Sequence, residues 1–260
     1  MTQPPARSRW VQVSLPRPGA RLRLICLPPA GGCASRYRDW PAHLPDDVEV
    51  VSVQLPGREN RFNEQPIESM EQLVGLLLDE LASYFSRPFA LFGHSMGALI
   101  AFELTRALRS GGVAPVHLFA SGCRAPHLPS RSPDWHTLPD AEFIAKIESL
   151  GGIPPELLVE SQFLDLMLPT LRSDCTLAET YVCRPQLPLS CPVTAFGGLL
   201  DVEVFPEDVH AWSQHTSGPF RAHLLPGDHF FVNTALGDVL GFVVAVLTPD
   251  SAPAVPPTMR

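Results

Sequence analysis

Short apolar runs bounded by glycine or proline alternate along the chain with longer amphipathic stretches, the pattern of a mostly parallel sheet covered by helices. The runs predict strands at Val11–Leu15, Leu22–Leu27, Val48–Val53, Phe89–Phe92, Val116–Ala120, Val193–Phe196 and Ala222–Leu225. Ser69-Met-Glu-Gln72 is a capping-box signature that opens a helix with Met70, Leu73, Leu77 and Leu81 on one stripe, and Arg87-Pro88 lies beyond its end. A second helix is expected to begin just after Ser95, to carry Leu99, Phe102 and the Leu104–Leu108 stripe, and to stop at Gly111-Gly112. No internal repeat is visible, so residues 1–260 read as a single α/β domain.

Between the strand ending near Ser121 and the one starting at Val193 the chain is too long for an ordinary crossover, which makes 124–190 an insertion. Arg124 to Pro139 is rich in Pro, Ser and Arg. Asp140 is then expected to cap a helix with Phe143, Ile147 and Leu150 on one face, ended by Gly151-Gly152. Pro155 to Tyr181 continue as one or two helices, with Leu157, Leu158, Phe163, Leu164, Leu166, Met167 and Leu171 spread over more than one face. A helix apolar on several sides must cover something. It is either a subdomain packed on the core or a helical lid over a hydrophobic channel. The lid is favoured because the insertion leaves and rejoins the sheet at the strand ends where such folds carry their chemistry.

Composition narrows the function classes. At 45% hydrophobic and 18% charged content the chain can bury a large core, and its formal charge of −8 argues against a nucleic-acid footprint. Lys146 is the only lysine. The opening MTQPPARSRW has no apolar leader run, and no segment reaches the roughly 18 apolar residues of a membrane span, so a cytoplasmic protein with no membrane partner is expected. The six cysteines (Cys26, Cys33, Cys123, Cys175, Cys183, Cys191) include no C-x-x-C pair and read as reduced, inert thiols rather than a zinc site or disulfide scaffold.

The candidate chemistry begins at Gly93-His-Ser95-Met-Gly97, which falls between an apolar strand and a helix that starts at once. In that setting the serine sits on a sharp turn with its hydroxyl exposed. A serine hydroxyl is a poor nucleophile until a base removes its proton, and the fold demands the chain order Ser, then Asp or Glu, then His. Of the nine histidines, His229 lies in the loop directly after the last strand, where such a base is needed. His94 points into the packing around the turn, and His210, His215 and His223 fit a helix or the last strand. Asp201 ends a buried strand in Phe196-Gly-Gly-Leu-Leu-Asp201 and would hold the imidazole in its working tautomer. Asp228 is the competitor, but adjacent residues rarely face each other. An oxyanion hole needs two backbone N–H groups. Met96 supplies one, and Leu27-Pro-Pro-Ala-Gly-Gly-Cys33 the other, from Ala30 or, next, Gly31, because Pro28 and Pro29 have no N–H.

These segments together resemble a known family. Leu27-Pro-Pro-Ala-Gly-Gly-Cys-Ala34, Gln54-Leu-Pro-Gly-Arg-Glu-Asn-Arg61 with Glu64-Gln-Pro66, Phe92-Gly-His-Ser-Met-Gly-Ala98, Gly197-Gly-Leu-Leu-Asp201 and Gly227-Asp-His-Phe-Phe231 are similar to the type II thioesterases associated with polyketide synthases and nonribosomal peptide synthetases. The resemblance runs from about Leu22 to Phe231, with Pro29 standing where many relatives have histidine. It implies an α/β-hydrolase fold and hydrolysis of acyl groups from the phosphopantetheine arm of carrier proteins, with acyl-CoA as a surrogate and no cofactor or metal. A medium-chain fatty acyl thioesterase or a small-ester hydrolase would share every catalytic residue. A catalytically inert interaction protein would be expected to have lost one of them. Short termini with no attached carrier module speak for a discrete protein rather than a synthase's release domain. Carrier proteins are typically acidic, so docking is expected to use Arg36, Arg38, Arg58, Arg61, Arg124 and Arg131 around the entrance.

Overall fold

The computed structural model describes residues 8–131, 134–152 and 161–248, apart from the side chains at 161–163 and 165. Strands β1 (Val11–Gln12), β2 (Leu22–Leu27), β3 (Val48–Val53), β4 (Phe89–His94), β5 (His117–Ser121), β6 (Val193–Gly198) and β7 (Phe220–Leu225) form one sheet in the order β1-β3-β2-β4-β5-β6-β7. Only the β1–β3 pair is antiparallel; the others are parallel, with Leu24 opposite both Val50 and Ala90. The helices are α1 (Met70–Glu80), α2 (Met96–Arg109), α3 (Asp140–Ser149), α4 (Ser161–Glu179), α5 (Pro206–His210), α6 (Phe231–Thr234) and α7 (Leu236–Leu247).

The central strands are mostly apolar because both faces are covered, and the charges they do carry, Arg23 and Glu49, pair across β2 and β3 at 3.3 Å. Ile25, Leu27, Val51 and Leu91 join the cluster that holds Leu73 and Leu77 of α1 and Ile100 and Leu104 of α2. Leu24, Cys26, Val50 and Phe92, offset by one, join Tyr37, Trp40 and Val239, Leu240 and Val243 of α7. This is an α/β-hydrolase fold: a mostly parallel sheet flanked by helices. Among the described residues no helix is long and apolar enough to cross a membrane.

Two expectations need correction. The first strand stops at Gln12 rather than Leu15, whose side chain is 48% exposed as the chain turns away toward Pro16 and Pro18. Pro139, not Asp140, occupies the N-cap of α3, and Asp140 Oδ1 instead accepts from Arg172 Nη2 at 2.6 Å. Ser69 does cap α1, accepting the Gln72 N–H at 3.3 Å, which is one half of the capping box. In the stretch expected to form one or two helices, α4 covers Ser161–Glu179. Leu157 and Leu158 lie outside the described residues, as does the Phe163 side chain. Helices α3 and α4 build a small core of their own from Phe143, Ile147, Leu171 and Cys175.

Candidate active site

Ser95 joins β4 to α2 with φ +54° and ψ −120°, a backbone state that non-glycine residues rarely adopt. The close approach that makes this turn possible depends on two glycines. A Cβ on Gly93 would strike the Gly97 carbonyl, and one on Gly97 would strike the Leu27 carbonyl. The Ser95 N–H is held by the Ser121 carbonyl at 2.7 Å, so the strained residue is tied across the sheet to the end of β5.

The ends of two neighbouring strands bring the other groups to this serine. His229, after β7, places Nε2 3.0 Å from Ser95 Oγ, and its Nδ1 is 2.8 Å from Asp201 Oδ2, after β6. A carboxylate only accepts, so Nδ1 carries the ring proton and Nε2 is left as an acceptor facing the hydroxyl. Asp201 is buried, and its other oxygen accepts the Glu203 and Val204 N–H groups at 2.9 and 3.1 Å, which fixes the carboxylate plane. Asp228 turns the other way and accepts the N–H of its own loop at Phe230, 2.8 Å. His94 is fully internal, with Nδ1 2.9 Å from Ser121 Oγ and its ring beside that of His229 at 5.4 Å between centroids. Burial first, then the neighbouring charges of His229 and Arg36, holds His94 well below the ordinary histidine range, so it stays neutral.

Ser95, His229, Ala30 and Met96 line a cavity of about 130 Å³ together with the apolar Leu99, Ile147, Leu150, Leu171, Cys175 and Ala178 and the charged Arg124, Glu179 and Glu203. Ile147 of α3 and Leu171, Cys175 and Ala178 of α4 belong to the insertion, which thus supplies much of the wall. Of the two loop donors left open by the sequence, Gly31 is committed elsewhere: its N–H donates to Asp174 Oδ2 at 2.7 Å. Ala30, the other of the two, lines the cavity. Asp174 and Ser121 are residues that sequence reasoning missed. Neither sits in a local motif, and each acts on a segment distant in sequence.

Burial removes Arg58 and Arg61 from the arginines expected to ring the entrance. Arg58 and Arg61 are each 3% exposed, the former paired with Asp174 at 2.7 Å and the latter with Glu64 at 2.6 Å and the Gln54 carbonyl at 2.8 Å. Arg131 is paired with Asp208 at 2.8 Å. Arg36 donates to Asn233 Oδ1 at 3.0 Å, Arg124 Nε to the Leu128 carbonyl at 3.1 Å, and Arg38 is exposed.

Comparison with known proteins gives this arrangement a context. The family model described as a thioesterase domain matches residues 22–247. The gramicidin S biosynthesis protein GrsT of Aneurinibacillus migulanus is 40% identical over 95% of this chain and 97% of its own length. Among solved structures, BorB, the type II thioesterase from the borrelidin biosynthetic cluster, is 37% identical with a TM-score of 0.85, covering 92% of this chain and 97% of that one. YbtT, the type II thioesterase from the yersiniabactin NRPS/PKS biosynthetic pathway, is 35% identical with a TM-score of 0.79, covering 90% and 96%.

Proposed function

The chain belongs to the thioesterase family, and from that premise we propose that it hydrolyses acyl groups from the phosphopantetheine arm of carrier proteins, clearing a polyketide or nonribosomal peptide assembly line. Ser95 Oγ attacks the thioester carbonyl while His229 Nε2 takes its proton. The negative charge that develops on the carbonyl oxygen is met by the Met96 and Ala30 N–H groups. Collapse expels the pantetheine sulfur, which leaves with the proton from His229. A water molecule then repeats the sequence on the acyl-serine, giving the free acid and restoring the Ser95 hydroxyl. Asp201 keeps Nδ1 protonated throughout and stabilises the imidazolium formed in each half. The residues of 124–190 serve as a lid over the acyl chain. The same reading puts the enzyme in the cytoplasm beside its carriers, with acyl-CoA as a surrogate donor.

The observation that carries the reading is the unbroken contact from Ser95 Oγ through His229 to Asp201, at 3.0 and 2.8 Å, opening on a largely apolar cavity. BorB and YbtT, both type II thioesterases of biosynthetic pathways, support the choice of substrate class. Incubation with an acyl-loaded carrier tests it: the protein should release free acid and deacylated carrier, and Ser95→Ala should lower the rate by about 10⁴-fold or more. A Ser95→Ala protein with near-normal turnover would overturn the mechanism. A wild-type protein that cleaves nitrophenyl esters but leaves acyl carriers intact would overturn the substrate.

A further inference from the structure

The Gln54-Leu-Pro-Gly-Arg58 segment takes no part in the chemistry above, yet its two long polar side chains are buried, Gln54 at 0% and Arg58 at 3% exposure. Removing such groups from water is unfavourable unless every donor and acceptor is met. Gln54 Oε1 accepts the Ala34 N–H at 2.7 Å, and its Nε2 donates to the Arg58 carbonyl at 2.9 Å. The Arg58 guanidinium donates to the Pro56 carbonyl through Nε at 3.0 Å and to the Gly32 carbonyl through Nη1 at 3.0 Å. It also grips Asp174 with both terminal nitrogens, at 2.7 and 2.8 Å. Asp174 belongs to α4, and the same Oδ2 that meets Arg58 also accepts the Gly31 N–H at 2.7 Å. One turn earlier on α4, Thr170 Oγ1 donates to the Gly57 carbonyl at 2.8 Å, and Leu171 Cδ1 fills the space where a Gly31 side chain would begin.

From this geometry we propose that Arg58 and Asp174 are positioning residues for the oxyanion hole: the pair clamps the Ala30–Gly32 loop to α4 and so aims the Ala30 N–H at Ser95. The Gly31 N–H lies in the peptide plane directly after Ala30, and the Gly32 carbonyl in the plane after Gly32. Asp174 holds the first and Arg58 the second, while the Gly32 N–H between them donates to the Pro29 carbonyl at 2.9 Å, in the very plane that carries the Ala30 N–H. The charges matter as well as the hydrogen bonds. A lone Asp174 carboxylate one peptide away from the developing oxyanion would oppose it in a low-dielectric site, and the Arg58 charge cancels that field. Lysine would supply the charge but not the fork, since one ammonium cannot span Pro56, Gly32 and both carboxylate oxygens. The buried motif, the insertion helix and the oxyanion loop thereby become one mechanical unit.

The proposal rests on the reading of Ala30 as an oxyanion donor. Two variants test it: Arg58→Lys, which keeps the charge, and Arg58→Met with Asp174→Leu, which leaves no unpaired buried charge. The readouts are thermal unfolding, kcat and KM on an acyl-pantetheine thioester, and the inhibition constant of an alkyl boronic acid, whose tetrahedral Ser95 adduct uses the oxyanion hole. We expect both variants to fold and kcat to fall roughly 10- to 100-fold, somewhat less than loss of a whole donor. KM should stay within about two-fold, and boronate affinity should weaken by the same factor as kcat. Folded variants with unchanged kcat, a rise in KM alone, or a fall in kcat without weaker boronate binding would each overturn the clamp. Failure of both variants to fold would make the pair a staple of the core and overturn it too. Wild-type turnover that survives Ser95→Ala would instead condemn the catalytic reading itself, so the two failures are distinguishable.

Discussion

Replacing Asp201 by asparagine changes one atom and tests how the histidine is oriented. In the native site Oδ2 accepts from His229 Nδ1 at 2.8 Å while Oδ1 holds the Glu203 and Val204 N–H groups at 2.9 and 3.1 Å. Asparagine keeps its carbonyl oxygen on the two loop amides, because turning it over would set an NH₂ against two N–H donors. Its NH₂ must then face Nδ1, which can accept only if the ring proton moves to Nε2. The proton now points at Ser95 Oγ, 3.0 Å away, and the base is lost. A wrong tautomer of this kind costs about 10⁴ in kcat, or about 5.4 kcal/mol of barrier. Folding should suffer far less, about 1 kcal/mol for one weakened hydrogen bond. Asp228→Asn is the control, since an asparagine oxygen can still accept the Phe230 N–H, and activity within about two-fold of native is expected. Thiol release from an acyl-pantetheine thioester, measured beside unfolding midpoints, gives both quantities. Equal losses for the two variants, or the larger loss at Asp228, would refute the assignment of the orienting carboxylate.

Two further predictions concern pH and the partner. Burial keeps His94 well below its ordinary value and pushes His117 down to about 4, so both are neutral when folded but take up protons in the unfolded chain below about pH 6.5. Their contribution to stability is complete above about pH 6.5 and is lost as pH falls toward 4, at up to about 1.4 kcal/mol per unit for each. Urea midpoints should therefore drop on acidification, and His117→Gln should flatten the slope; a slope unchanged by that substitution would contradict the assignment. For the partner, kcat/KM should be higher for an acyl carrier than for the same acyl group on coenzyme A, and Arg36→Ala with Arg38→Ala should narrow the gap, as should high salt. A carrier preference indifferent to both would remove these arginines from docking.

Most of the fold was legible because its signals are local. Strands β2 and β3 begin and end at the residues their runs mark, since a strand covered on both faces is apolar at most positions, with Arg23, Glu49 and Ser52 as the exceptions. The groups brought together at the site carried local marks as well: Ser95 between a strand and a helix, Asp201 at a strand end, His229 in the loop after the last strand. Where the reading failed, a contact distant in sequence had won. Asp140 looks like a helix cap, an acid just ahead of an apolar stripe, yet its carboxylate is drawn to Arg172 and Pro139 takes the cap. That the Gly31 N–H is held elsewhere could not be read from the loop itself, because its acceptor, Asp174, lies 143 residues away.

The arginines are the sharpest case. An arginine in a loop full of Pro, Gly and polar neighbours reads as a solvated charge, because a buried guanidinium is unfavourable without a matched acceptor. Arg58 finds its acceptor 116 residues away on α4, and Arg61 finds Glu64 and the Gln54 carbonyl beneath the Trp10 ring, 3.9 Å from its centroid. Neither the partner nor the burial leaves a trace in the spacing of the motif. The consequence for recognition is quantitative. A chain of net charge −8 meeting an acidic carrier must rely on few exposed cations, and those buried inside lend the surface little field through their paired carboxylates. Of the six arginines expected at the entrance, Arg38 and Arg131 are exposed and Arg36 is half-buried against Asn233 and the Phe230 ring. That is why the paired substitution at Arg36 and Arg38, rather than one at Arg58 or Arg61, is the test of docking: truncating a buried, paired arginine perturbs the fold around it whatever the partner.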